Sequence, residues 1–110
     1  MCVSVQKKNL EQSYHIFPNP FNSDLEKAKI EYYLENDALV TIKIYTITGN
    51  LVKILKEKES KSKGLHYEDT WDGKNSAGKK VKSGVYICFI KVKYADGSET
   101  KLKKKIVVLR

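Results

Sequence analysis

The sequence predicts an all-β domain, an antiparallel β-sandwich of about seven strands. Three observations carry that prediction. Short runs rich in Val, Ile, Tyr and Phe recur between clusters of Gly, Asn, Asp and Pro, the residues that end strands and make turns. The run Ala38 to Thr46 alternates strictly, with Val40, Ile42 and Ile44 on one side and Thr41, Lys43 and Tyr45 on the other. No segment repeats its apolar residues at the helical period.

Residues 1–13 are polar and patternless and read as a leader or linker remainder, leaving 14–110 as the domain. Tyr14 to Phe17 is a short strand, stopped by Pro18 and Pro20, which have no N–H to give a ladder. Asn22-Ser23-Asp24 is turn chemistry. Lys29 to Leu34 is the next strand, and Glu35-Asn36-Asp37 reverses it into Ala38 to Thr46. Thr48-Gly49-Asn50 turns the chain back into Leu51 to Leu55, and Lys56 to Lys63 reads as a charged loop. Gly64 to Trp71 resumes as a strand with Leu65, Tyr67 and Asp69 on one face. Asp72-Gly73 and Ala77-Gly78 then supply the positive-φ positions of a compact loop. Ser83-Gly84 launches Val85 to Tyr94, whose two apolar faces indicate a central position. Ala95-Asp96-Gly97-Ser98 signals a hairpin, and Glu99 to Leu109 closes the domain. The strand count implies an immunoglobulin-like arrangement. Its expected core includes Val40, Ile42, Ile44, Trp71, Val85, Ile87 and Phe89.

A chain of 110 residues makes one domain, and 41% hydrophobic with 31% charged residues is a globular composition. No run approaches the ~20 apolar residues of a membrane-spanning helix. Met1 to Gln6 has no apolar signal core behind a basic start, so the module is expected to be either cytoplasmic or a piece of a larger exported protein. The net charge of +8 is uneven: residues 1–50 hold five lysines against six acids, and residues 51–110 hold sixteen basic residues against seven. Such a half can meet nucleic acid, an anionic membrane or an acidic glycan, or it can be a solvated lysine face that blocks edge pairing. Lysine dominates and Arg110 is the sole arginine, which argues against specific phosphate or base recognition.

The candidate sites are few. Cys2 and Cys88 are the only cysteines. A bridge between them stays open, although a pair buttressing a sandwich should link two strands and Cys2 falls in the leader. Cys88 otherwise reads as a small core hydrophobe. Neither His15 nor His66 has ligand-spaced neighbours, so no metal or cofactor is expected. Trp71 reads as a packed anchor for the loop rather than a sugar platform. Asp72-Gly73-Lys74-Asn75 has oxygens at alternate positions, but the run is short and two lysines follow Gly78, so a turn is preferred over calcium. Tyr33 and Tyr45, among seven tyrosines and three phenylalanines, are expected to face outward and could form a small sugar-binding patch. Glu68 and Asp69 should point to opposite faces, and Ser83 lacks a base, so no catalysis is expected.

Three blocks taken together resemble a known bacterial family: Pro18-Asn19-Pro20-Phe21, Ile44 to Val52 around Gly49, and Trp71-Asp72-Gly73 through Gly78 and Gly84 to Tyr86. They are similar to the immunoglobulin-like module shared by the flagellar hook-cap scaffold protein and the C-terminal sorting domains of type IX secretion. The resemblance spans roughly residues 14–110. The basic-then-aliphatic ending Lys104 to Arg110 favours the sorting branch, while Asn22-Ser23 departs from the Asn-Pro of many relatives. The resemblance implies a secreted or cell-surface location, reached through the periplasm, with cargo fused upstream. It also implies recognition by the export machinery, after which the domain is cleaved off or retained. The partner surface would be the terminal strand, with Lys103, Lys105, Ile106, Val107, Val108 and Leu109, and edge pairing along Lys105 to Leu109 is one expected mode. The other readings are an assembly module like the hook cap and a carbohydrate-binding appendage.

Overall fold

The alternation of residues 38–46 is realised as the strand that anchors the core, with Val40, Ile42 and Ile44 fully buried. The computed structural model describes residues 13–109. Among them the strands are β1 His15–Phe17, β2 Phe21–Asn22, β3 Ala28–Leu34, β4 Ala38–Thr46, β5 Leu51–Lys61, β6 Gly64–Trp71, β7 Gly84–Tyr94 and β8 Glu99–Leu109. They form two sheets, a three-stranded one in the order β1-β3-β6 and a five-stranded one in the order β2-β8-β7-β4-β5. All pairs are antiparallel except β2 with β8. The core lies between the sheets, where Ile30, Tyr32 and Leu34 of β3 oppose β4 and β7. Removing the Ile30 or the Leu34 side chain from water contributes about 1.5–3 kcal/mol.

The strand expected from 85 to 94 is present and central, but its faces are exchanged. Cys88, Ile90 and Val92 are buried, whereas Val85 is 38% exposed and Ile87 and Phe89 are half-buried on the outside. Residues 85–90 of β7 are apolar on both sides, and the parity signal lies further along, where Lys91 and Lys93 share the face of Val85, Ile87 and Phe89 and mark it as the outward one. The register with β4 agrees, with Ile44 facing Cys88 and Ile42 facing Ile90.

Two further departures come from sheet edges. Lys56 to Lys61 is strand, not loop, since β5 pairs with β4 as far as Ala38 and Lys61. Its polar alternation is that of an edge strand, which sequence composition does not separate from a loop. On β6, Leu65 and Tyr67 are exposed while Asp69 is buried. A β-bulge explains this: Ile30 pairs Asp69 and Tyr32 pairs His66, so two β6 residues stand opposite Glu31 and the inward parity shifts. The eighth strand, β2, is two residues long and below what sequence pattern resolves.

The sandwich reaches back to Ser13, which is buried and accepts the Tyr33 N–H at 2.8 Å. Tyr14 is also buried, and its hydroxyl donates to the Cys88 carbonyl at 2.7 Å. Burial pushes the Cys88 thiol up to about 12. A bridge to Cys2 lies outside the described residues.

Candidate functional site

The residues singled out along the sequence converge on one end of the sandwich and lock the last strand in place. Asn19 sits beside β8 and uses both ends of its amide. Its Oδ1 accepts the Val107 N–H at 2.9 Å, and its Nδ2 donates to the Lys105 carbonyl at 2.9 Å. β2 then runs parallel to β8, pairing Phe21 with Val108 and Asn22 with Leu109, and the Ser23 N–H donates to the Leu109 carbonyl at 3.1 Å. Phe21 is fully buried, with its ring 5.8 Å from that of Trp71. Trp71 is 1% exposed, meets Tyr86 edge-on at 5.6 Å and donates from Nε1 to the Lys74 carbonyl at 2.9 Å. It is a packed anchor and presents no sugar platform.

The loop after Trp71 interlocks with the same end. Gly73 has φ +78°, and a Cβ there would lie 2.7 Å from the Ser23 Cβ, so both conformation and space demand glycine. The Asp72 carboxylate accepts the Lys74 N–H, and Asn75 Oδ1 accepts those of Ala77 and Lys79, each at 3.0 Å. These oxygens are committed to shaping the loop. Ser76 ties it to the middle block by donating from N and Oγ to the Val52 carbonyl, at 3.1 and 3.2 Å. Lys80 reaches Asp24 at 2.6 Å. Gly49 closes the β4–β5 hairpin at φ +96°, its N–H donating to the Thr46 carbonyl at 2.9 Å. Pro18 and Pro20 flank the Asn19 clamp on the surface.

This arrangement corrects the expected edge pairing. Asn19, β2 and Ser23 occupy the outer edge of β8 from Lys105 to Leu109, so no partner strand can add there without displacing them. Ile106 and Val108 are fully buried and unavailable to a partner. Lys103, Lys105 and Leu109 are exposed and Val107 is half-buried, so these four can present side chains. The clamp role of Asn19 was not legible in the sequence; the signal for it was an amide side chain between two residues that cannot donate from their own backbone.

The outward face of the five-stranded sheet continues from those side chains. Phe89 stands between Lys43 and Lys103, Ile87 between Tyr45 and Lys105, and Val85 beside Val107. Tyr45 and Phe89 lie edge to face at 6.2 Å. Together with Thr46, Ile47, Gly49, Ile87 and Lys103 they line an open depression of about 490 Å³.

A charge cluster sits elsewhere, across the β5–β6 edge. Lys61 Nζ lies 2.7 Å from Glu68 and 3.6 Å from Asp69, Lys56 lies 3.7 Å from Asp69, and the Tyr32 hydroxyl donates to Asp69 Oδ2 at 2.7 Å. Glu68 and Asp69 thus converge on one ammonium rather than diverging, because the bulge and the long Lys61 stem bring them together. Partial burial works against the Glu68 carboxylate, but the Lys61 ammonium, the backbone and His66 overcome it and hold it at about 2. Burial first, and then the hydrogen bond to Asp69, push the Tyr32 hydroxyl well up. The cluster joins the two sheets as an ion network, which Glu59 completes at 3.6 Å from Lys56 and 3.3 Å from Lys61. Among the described residues no group of three or more His, Cys, Asp or Glu side chains is arranged to hold a metal.

Fold and latch define a class: an immunoglobulin-like β-sandwich whose N-terminal segment fastens its last strand. The family model for the FlgD Ig-like domain matches residues 19–98, and the chain belongs to that family. Among solved structures it is similar to dimeric latent PorU from Porphyromonas gingivalis, with a TM-score of 0.67 and 27% identity over 88% of this chain. The match takes in only 9% of the PorU chain. It also shares its fold with FlgD from P. aeruginosa, with a TM-score of 0.64 and 17% identity over 93% of this chain and 78% of that one. The two correspond to the two branches of the resemblance seen in the sequence. No curated protein matches the chain.

Proposed function

We propose that the chain is a non-catalytic C-terminal sorting and surface-anchoring module of a secreted bacterial protein, recognised by type IX export machinery. The observation that carries this reading is the latched terminal strand. Asn19 and β2 hold Lys105 to Leu109 inside the fold, so the segment that resembles the sorting signal is offered as part of a folded surface. Its outward side chains, exposed Lys103, Lys105 and Leu109 and half-buried Val107, are then the recognised groups. The similarity to a small part of the much longer PorU supports a module carried on a larger protein, and cargo fused upstream is what the sorting-domain resemblance implies. The protein would pass through the periplasm to the cell surface or the medium.

The test is to place the whole chain behind a signal peptide and a reporter in a host that carries type IX machinery. The reporter is expected at the surface or in the medium, and in the periplasm once residues 106–110 are deleted. Because that deletion also removes the buried Ile106 and Val108, the cleaner variant is Lys103→Glu with Lys105→Glu, which leaves the core intact and should reduce export. An intact fusion retained in the periplasm, while a known sorting domain exports the same reporter, overturns the reading. A structural assembly module would then stand in its place, a second reading that the FlgD family match favours.

A further inference from the structure

Residues 85–90 of β7 are apolar on both faces, a pattern that belongs where both faces are covered, yet among the described residues they are covered only on the inner side. In its outer column Ile87 and Phe89 line the depression together with Tyr45 and Lys103, and Val85 stands next in the column beside Val107. Ile47 and Leu51, 65% and 50% exposed, continue the apolar area past Tyr45. Most sandwich sheets turn polar side chains to water on this face. Around the apolar centre stand Lys43, Lys103 and Lys105, and among the described residues no carboxylate lies within ion-pair distance of any of them.

We infer that this face docks an acidic polypeptide segment, with an aromatic or aliphatic side chain of the partner beside Phe89 and its carboxylates on Lys43, Lys103 and Lys105. Charge complementarity selects the occupant. A second copy would bring a net +8 against +8 and set lysines against lysines. Nucleic acid and acidic glycan satisfy the lysines but carry too little apolar surface to cover Val85, Ile87 and Val107. A sugar ring also needs a flat aromatic platform, whereas Tyr45 and Phe89 cross at 79°. An apolar centre ringed by charges that fix orientation is the anatomy of a protein interface. The inference concerns the chemistry of the partner and holds whichever machinery supplies it.

The experiment is an NMR titration of the full 15N-labelled chain with three probes. The first is a synthetic peptide of Asp and Glu interspersed with Phe and Leu. The second has the same charge with Phe and Leu replaced by Ser, and the third is a heparin oligosaccharide. The first is expected to shift amides of Tyr45, Ile87, Phe89 and Lys103, and to bind at least tenfold more tightly than the other two. Phe89→Ser and, separately, Lys43→Glu with Lys103→Glu should each weaken it at least tenfold while the remaining spectrum keeps its dispersion. Equal affinity for the Ser peptide reduces the face to a bare charge patch and overturns the inference. So do tighter heparin binding, shifts on another face, no binding, or a dimer by light scattering. If the export fusion works but no peptide binds, this inference fails and the sorting reading stands. If the peptide binds but the fusion is not exported, only the sorting reading fails.

Discussion

Trp71→Ala is expected to destabilise the domain by about 3–5 kcal/mol, the range for removing a large aromatic side chain from a core. Trp71 is 1% exposed and packs between Phe21 and Tyr86, so its removal opens a cavity where β2, β6 and β7 meet. The same change orphans the Lys74 carbonyl that accepts the indole N–H. Neighbouring chain cannot collapse into the space, because Gly73 already packs against Ser23 and fixes the loop. Trp71→Phe retains much of the apolar volume and loses the N–H, so it should cost less than half as much. Urea denaturation reads both variants. A loss below about 1 kcal/mol for the alanine variant would mean that the indole is not the anchor of this end.

Ile90→Ala is expected to cost about 2–5 kcal/mol and Ile87→Ala less than about 1.5 kcal/mol. Both are isoleucines and lie three positions apart on β7, but Ile90 is fully buried opposite Ile42 while Ile87 stands outside beside Tyr45. Transfer from water applies in full to the first and in part to the second, and only the first leaves a closed cavity. Equal losses, or the reverse order, would show that β7 presents its other face to the core.

The contrast between β4 and β7 shows how far the sequence can be read. Val40, Ile42 and Ile44 alternate with Thr41, Lys43 and Tyr45, and the structure buries the apolar three as the pattern requires, but it buries Thr41 as well, where the hydroxyl accepts the Lys58 N–H at 3.1 Å. The first half of β7 is apolar on both faces, so Val85 to Phe89 alone do not choose between them, and the signal for the outward side lies in Lys91 and Lys93 on the same face. β5 continues past Leu55 to Lys61 with no apolar signal, because an edge strand is polar for the same reason a loop is. The inward turn of Asp69 depends on a bulge, a one-residue slip that leaves no mark in composition. Much of the site was visible as isolated motifs, since the glycines at 49, 73 and 78 and the Pro-Asn-Pro-Phe block declare special backbone needs. What they do together was not visible. The contact of Asn19 with Lys105 and Val107 spans almost the whole chain, and only the closed sandwich brings them within 2.9 Å.

This N-terminal motif latches the terminal strand, so that Lys105 to Leu109 are held as part of a folded surface and not as a free edge. Hydrogen exchange at the Val107 amide tests it most directly, because that N–H points away from β7 and donates to Asn19 Oδ1. The latch predicts a Val107 amide protected to a degree comparable with the buried strand amides of β7. In Asn19→Ala its exchange should rise at least tenfold more than theirs, a loss of about 1.4 kcal/mol or more confined to the latch. A Val107 amide that exchanges freely in the unaltered protein, or whose protection is unchanged by Asn19→Ala, would contradict the claim and leave the outer edge of β8 open to a partner strand.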